Sequence, residues 1–302
     1  MKREVISSLF TIMVIIAMFS CGRKAEQTKE IIPSFSTYTA RPVAEEPVPP
    51  EKREIFYGLL TPVEVTNIFN RLGVPYNEAS LNPVINAENY LSSSRAALNL
   101  GVYGVDLGYL KIFRKNQDMF NYMLTVRKLA GRLDIPESYI TDPIKRVEAD
   151  LDNPDSIIVI MNQAYKQIED HLRTDGREGT VGLMLMGGWI EAMYIATSLA
   201  YDPANPDPEV VQKISEQKYT LTSLLSLMKN YYDDPMVVFY TKKLLFLKRY
   251  FDTFDIYFRK GDLEIDTNRQ ALVSSGSEMT ITVETLNNIR DYVAKLRNEI
   301  VN

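Results

Sequence analysis

The chain has 302 residues, 45% of them hydrophobic and 24% charged, which is the composition of a folded body large enough for one large domain or two modest ones. A net charge of −5 argues against a nucleic-acid binder held by overall positive charge. One Cys and one His leave almost no room for a disulfide framework, a Cys/His zinc centre, a Cys–His nucleophile pair or a Ser–His–Asp triad. No cofactor or metal is called for by the residues present.

The elements begin with a leader. Lys2 and Arg3 precede an apolar run from Val5 to Phe19, which ends at Ser20-Cys21-Gly22. That order reads as a secretory signal followed by a small residue and a cysteine. The run is short for a spanning helix, which needs about 20 apolar residues. The only cysteine, placed here, resembles the lipobox of bacterial lipoproteins. The resemblance implies cleavage before Cys21, diacylglycerol on its thiol and an acyl chain such as palmitate on its new amine. Ser20 fits that pattern; Met18 and Phe19 depart from its usual residues. Residues 1–20 carry Lys2, Arg3 and Glu4, a net +1, so the remainder carries −6. An acidic body is repelled by anionic lipid, so the lipid anchor would do the holding. Gly22 stands where an Asp would suggest inner-membrane retention, and Arg23 and Lys24 stand where an acidic export cluster would lie. The expected location is the outer membrane, facing the periplasm.

Residues 21–54 read as a tether, rich in Lys, Glu, Gln and Thr and closing on Pro47-Val48-Pro49-Pro50. Such a segment buries too little apolar surface to offset chain entropy. It would reach about 30 Å as a coil and on the order of 100 Å fully stretched.

Residues 55–302 read as a single helical domain. Thr61-Pro62-Val63-Glu64 is a helix start, with Val65, Ile68, Phe69 and Leu72 at helical spacing and Gly73 as the stop. Asn82-Pro83 is expected to open a second helix running to Leu100, which either breaks at Gly101 or continues to Phe113. Further helices are expected over 116–133, from Asp142-Pro143 to 151, from Asn153-Pro154 to 172, over 180–200, over 208–218 and 221–232, from Asp234-Pro235 to about 260, and over 283–301. Asp or Asn before Pro recurs at these starts because that residue is pushed out of the helical region and can cap. Within 261–282, Ala271-Leu272-Val273 and Met279-Thr280-Ile281 could form a short β-hairpin. The fold class expected is all-α, a multi-helix bundle or irregular helical array with one short hairpin near 270–282.

Two segments could hold chemistry. Gly101, Gly104 and Gly108 share one helical face around Asp106, each costing about 1 kcal/mol of helix propensity. Such a cost suggests close approach by another helix or by a ligand. Val181 to Ala200 is nearly all apolar but contains Gly187-Gly188-Trp189-Ile190-Glu191. It reads as a buried central helix, with a membrane span as the rival; the lone Glu opposes the rival. Asp106 and Glu191 need partners, for which Arg95, Lys111 and Arg114 are candidates. Their plainest role is a structural polar pair. The sharper reading is a ligand pocket lined by Tyr103, Asp106, Tyr109, Trp189, Glu191 and Tyr194. A carboxylate-dependent glycan hydrolase is the remote third reading. Asp150 to Asp155 fails as a calcium loop, since Pro154 and Asp155 occupy positions that need a ligand and a Gly.

Residues 97–107, with Gly187-Gly188-Trp189-Ile190-Glu191 and Ser275-Gly276-Ser277-Glu278, resemble a group of uncharacterised lipoproteins of Bacteroidota. The resemblance spans about residue 60 to the C-terminus. It implies an envelope lipoprotein with an all-helical body, and transfers no catalytic residue. The function expected is a membrane-anchored, non-enzymatic binding or scaffold module, with an envelope protein or cell-wall component as partner and no nucleic acid. The alternative is a small-ligand-binding or sensing domain with its pocket near Asp106 and Glu191.

Overall fold

The computed structural model describes residues 53–56, 68–149, 154–258, 263–267, 271–274 and 277–302. The expected leader, Cys21, the tether as far as residue 52, the start at Thr61-Pro62 and the segment 150–153 lie outside these residues, whereas Arg53 and Glu54, expected to close the tether, pair with Ser274 and Val273 in a strand. The protein is an all-α array with small β ladders. Its helices are α1 (Ser93–Ile112), α2 (Asn116–Arg132), α3 (Ser138–Ala149), α4 (Pro154–Thr174), α5 (Glu178–Ile195), α6 (Pro208–Met228), α7 (Pro235–Phe251) and α8 (Val283–Val301). Its strands are β1 (Arg53–Phe56), β2 (Ile256–Phe258), β3 (Glu264–Asp266), β4 (Ala271–Ser274) and β5 (Ser277–Met279).

Side-chain caps open four of these eight helices. Ser92 Oγ accepts from the Arg95 amide, Asp207 from Glu209 and Val210, Asp234 from Met236 and Val237, and Thr282 from Thr285. Pro208 and Pro235 sit in the first turn, where their missing N–H is not needed. Residues 68–72 are helical, and Gly73 ends them at φ +60.

Several boundaries differ from expectation. Asn82-Pro83 opens only a 3-10 turn over Val84–Asn89, and the long helix starts afresh at Ser92. Tyr90 breaks the run because its hydroxyl is drawn to the carbonyl of Val301 and its own carbonyl accepts from Arg132. Through Gly101 the helix continues without a break. Pro143 lies inside α3 rather than at its start. The first turn is set earlier, where Ile140 and Thr141 amides donate to the Glu137 carbonyl. Residues 208–228 form one helix rather than two. Helix α7 stops at Phe251, not near 260, because β2 pairs with β5 and the Asp255 amide donates to Thr280 Oγ1. A short hairpin is present, but β3 and β4 make it. The stretches around 271–274 and 277–279 are both strands, yet they join different ladders, β1-β4-β3 and β2-β5.

Helices α1 and α5 form the centre. Every residue of α1 from Ala96 to Leu110 is buried except Gly104, and α5 buries 12 of its 18 residues. Helix α5, with the turn Ala196–Ala200, is long and apolar enough to cross a membrane, but here its surface is taken by α1, α4, α6 and α8. An apolar helix enclosed on all sides is what the centre of a large helical body requires. The two helices meet backbone to backbone. A Cβ at Gly101 would lie 1.9 Å from the Met184 carbonyl oxygen, and one at Gly187 would lie 1.9 Å from that of Leu98. Glycine is required at both positions, and its propensity cost is offset by the contact it permits.

Candidate functional site

The α1–α5 contact places Asp106 and Glu191 side by side, both with no exposed surface. Their cation is Arg297 of α8, rather than Arg95, Lys111 or Arg114. Its Nε donates to Glu191 Oε2 at 3.0 Å and its Nη2 to Glu191 Oε1 at 3.1 Å, a two-pronged fork. Nη2 also donates to the Ser80 carbonyl at 3.0 Å, and the guanidinium lies 4.7 Å from the centre of the Tyr194 ring.

One guanidinium faces two carboxyl groups, so charge balance in this dry site calls for one proton. Asp106 is the group whose surroundings favour it. Burial, followed by the negative charge of Glu191, raises the Asp106 pKa well above the usual carboxylate range. Asp106 Oδ2 accepts from the Asn82 amide at 3.1 Å. Its Oδ1 has no hydrogen-bond partner in the structure, which suits a protonated oxygen, and the Glu191 carboxyl lies near enough to act on it. Burial also raises Glu191, with Arg297 and the Asp106 bond pulling the other way. The two carboxyls therefore titrate as a pair.

A second polar layer lies beside the first. Asn82 Nδ2 donates to Asn99 Oδ1 at 3.1 Å and to the Tyr90 hydroxyl at 3.0 Å. Asn99 Nδ2 donates to the Ile300 carbonyl at 3.0 Å, and Tyr90 Oη to that of Val301 at 2.7 Å. These are carbonyls of the last turn of α8, which have no partner within a helix. Residues 80–90, α1, α5 and the end of α8 are thus joined through buried polar groups.

The six expected site residues separate on this frame. Asp106, Glu191 and Tyr194 gather around Arg297. Tyr103 is buried between Tyr90 and Tyr122 and donates to the Pro83 carbonyl at 2.9 Å. Tyr109 donates to the Pro75 carbonyl and accepts from the Asn77 amide at 2.7 Å. Trp189 points the other way, toward α6, and donates to Gln217 at 3.3 Å. None of the six lines a cavity among those described. Sequence reasoning missed Arg297, Asn82, Asn99 and Tyr90. Signals existed for two of them: Asn99 interrupts the apolar run 96–100, and Arg297 borders the stripe Leu286, Ile289, Val293, Leu296 and Ile300.

Chemically, this arrangement holds charge and register. Neither carboxyl has any exposed surface that a water or a sugar could reach. No group of three or more His, Cys, Asp or Glu suited to a metal occurs among the described residues. No family model, curated protein or solved structure matches this chain.

Proposed function

We propose that the protein is a bacterial envelope lipoprotein, anchored through Cys21 and acting as a non-enzymatic binding module at the periplasmic face of the outer membrane. The observation that carries the non-enzymatic half is the sealing of Asp106 and Glu191. The closest pair of buried carboxyls among the described residues, Asp106 and Glu191, has no exposed surface, and Glu191 is committed to Arg297. The leader order Lys2-Arg3, apolar run, Ser20-Cys21 supports the anchor.

The outer face of α7 supports a contact role. Phe239, Leu245 and Phe246 are 48%, 43% and 41% exposed, while Val237, Leu244 and Leu247 on the opposite side are buried. Helix α7 contains no Asp or Glu, and Lys242 and Arg249 lie on the same exposed side. Exposed aromatics flanked by cations suit a protein partner with an apolar, acidic surface. The test is in-cell photocrosslinking from Leu245 and from Glu284, in intact and Cys21→Ala proteins. The reading expects one envelope protein crosslinked at Leu245 alone, lost with Cys21→Ala, together with a lipid mass on the Cys21 peptide. An unlipidated, freely soluble wild type would remove it.

A further inference from the structure

We propose that the face formed by α7 and α8 docks a second copy of this chain, about a twofold axis parallel to the two helices. The inference deepens the contact role proposed for α7 and rests on it. The helices run antiparallel, side by side. Lys243 Nζ pairs with Glu299 Oε2 at 2.6 Å, the Phe246 and Tyr292 rings lie 5.0 Å apart, and Thr253 Oγ1 meets Thr285 Oγ1 at 3.4 Å. These pairs fix the height of each residue on one helix against the other.

The two helices carry opposite charge at matched heights. Lys242 and Arg249 of α7 are exposed and make no ion pair among the described residues. The exposed charges of α8 are Glu284, Asp291, Lys295 and Glu299. Lys242 stands within one turn of the height of Glu299, and Arg249 within one turn of that of Asp291. Phe239 and Phe246, both exposed, supply the apolar part of the face.

A twofold axis parallel to the helices leaves heights unchanged and lays α7 of each copy over α8 of the other. Lys242 and Arg249 then face the acids at their own height, twice over, as an isologous interface requires. Glu299 and Asp291 are held by Lys243 and Arg290 in pairs open to solvent, which contribute little and can be shared. An anionic membrane would meet the acids of α8 together with the cations of α7, so it fits this face less well than a second copy does. Two helices of about 25 Å, about 10 Å apart, offer roughly 500 Å² per copy, short of the ~800 Å² of a standard interface. The dimer is therefore weak and salt-sensitive, and confinement to one membrane would favour it by raising effective concentration.

The test is sedimentation equilibrium of the intact chain at low salt in a density-matched nonionic detergent. The wild type should show a monomer–dimer equilibrium with Kd on the order of 10 to 100 µM. Lys242→Glu with Arg249→Glu should weaken the dimer at least about tenfold, and so should Asp291→Lys with Glu299→Lys, both with the helical circular dichroism retained. An equimolar mixture of the two reversed proteins should recover the dimer, because each reversed helix then faces its complement. A monomeric wild type, a dimer indifferent to both reversals, or a mixture that stays monomeric would overturn the inference. If Leu245 then crosslinks a different protein, the contact role of α7 stands and this inference alone fails. Without any Leu245 crosslink, both fail.

Discussion

The two sides of α1 solve opposite problems. Toward α5 and α8 it is closed: Gly101 touches backbone, and Asp106 joins a proton-shared pair locked by Arg297. Toward α2, α3 and α4 it is open: Gly104 faces an apolar groove. The same residue type, three positions apart, therefore permits contact on one side and leaves space on the other. A glycine in a helix reports that a side chain is unwanted, and only its neighbours say why.

The sharpest way to break this comparison is to add a side chain at each glycine. Gly101→Ala and Gly187→Ala place a methyl group against backbone carbonyls and should each cost about 3 kcal/mol or more in urea unfolding. Gly104→Ala has groove to fill and gains helix propensity, so it should be neutral or stabilising by up to about 1 kcal/mol. Equal losses at 101 and 104 would erase the distinction between the two sides.

On the closed side, Arg297→Met should cost about 3–5 kcal/mol, because it leaves a buried carboxylate without its cation. Glu191→Gln should cost a comparable amount by stranding Arg297. Adding Glu191→Leu to Arg297→Met should recover much of the loss, the coupling being read from the double-mutant cycle.

Asp106 should behave differently from its neighbour. The native state keeps a proton on it that the unfolded chain releases near the ordinary value of about 3.9. Its contribution is therefore greatest below that pH and declines as pH rises toward the raised native value, at up to about 1.4 kcal/mol per pH unit. Asp106→Asn can accept from Asn82 and donate to Glu191 without a titrating proton. The variant should be more stable than wild type by at least about 1 kcal/mol at pH 7, with the gain shrinking toward pH 4 in parallel denaturation curves. A destabilised variant at pH 7 would place the proton elsewhere.

The smallest expected effect concerns the start of α1, which serves both sides. Ser92→Ala removes the oxygen that accepts from the Arg95 amide at 3.3 Å and should cost about 1 kcal/mol.

Much of the helical layout was legible before any coordinates. Helices α2, α4 and α8 lie where periodicity puts them, α8 with its Thr282 cap, because such signals act within one or two turns. The placement of 180–200 as a buried central helix also followed from its all-round apolar face. The errors fall where distant partners act. Tyr90 is drawn to Val301, 211 residues away, and breaks a helix expected to run on. The segment after Phe251 is taken into a ladder with β5. Asp106 and Glu191 were legible as a pair needing a cation, since a carboxylate in an apolar run demands one. Which cation was not, because Arg297 is 106 residues from Glu191 and three nearer candidates carry the same charge.

Composition, periodicity and caps thus determined by themselves that this chain makes an all-helical body with two carboxyls in its core, because hydrophobic burial and local hydrogen bonding are written in neighbouring residues. Only the tertiary structure decided that those carboxyls are closed off by the last helix and that the open space lies on the other face of α1. Both outcomes depend on which surfaces meet, and a glycine or a buried acid reads the same in sequence whether its neighbour is backbone, arginine or a void.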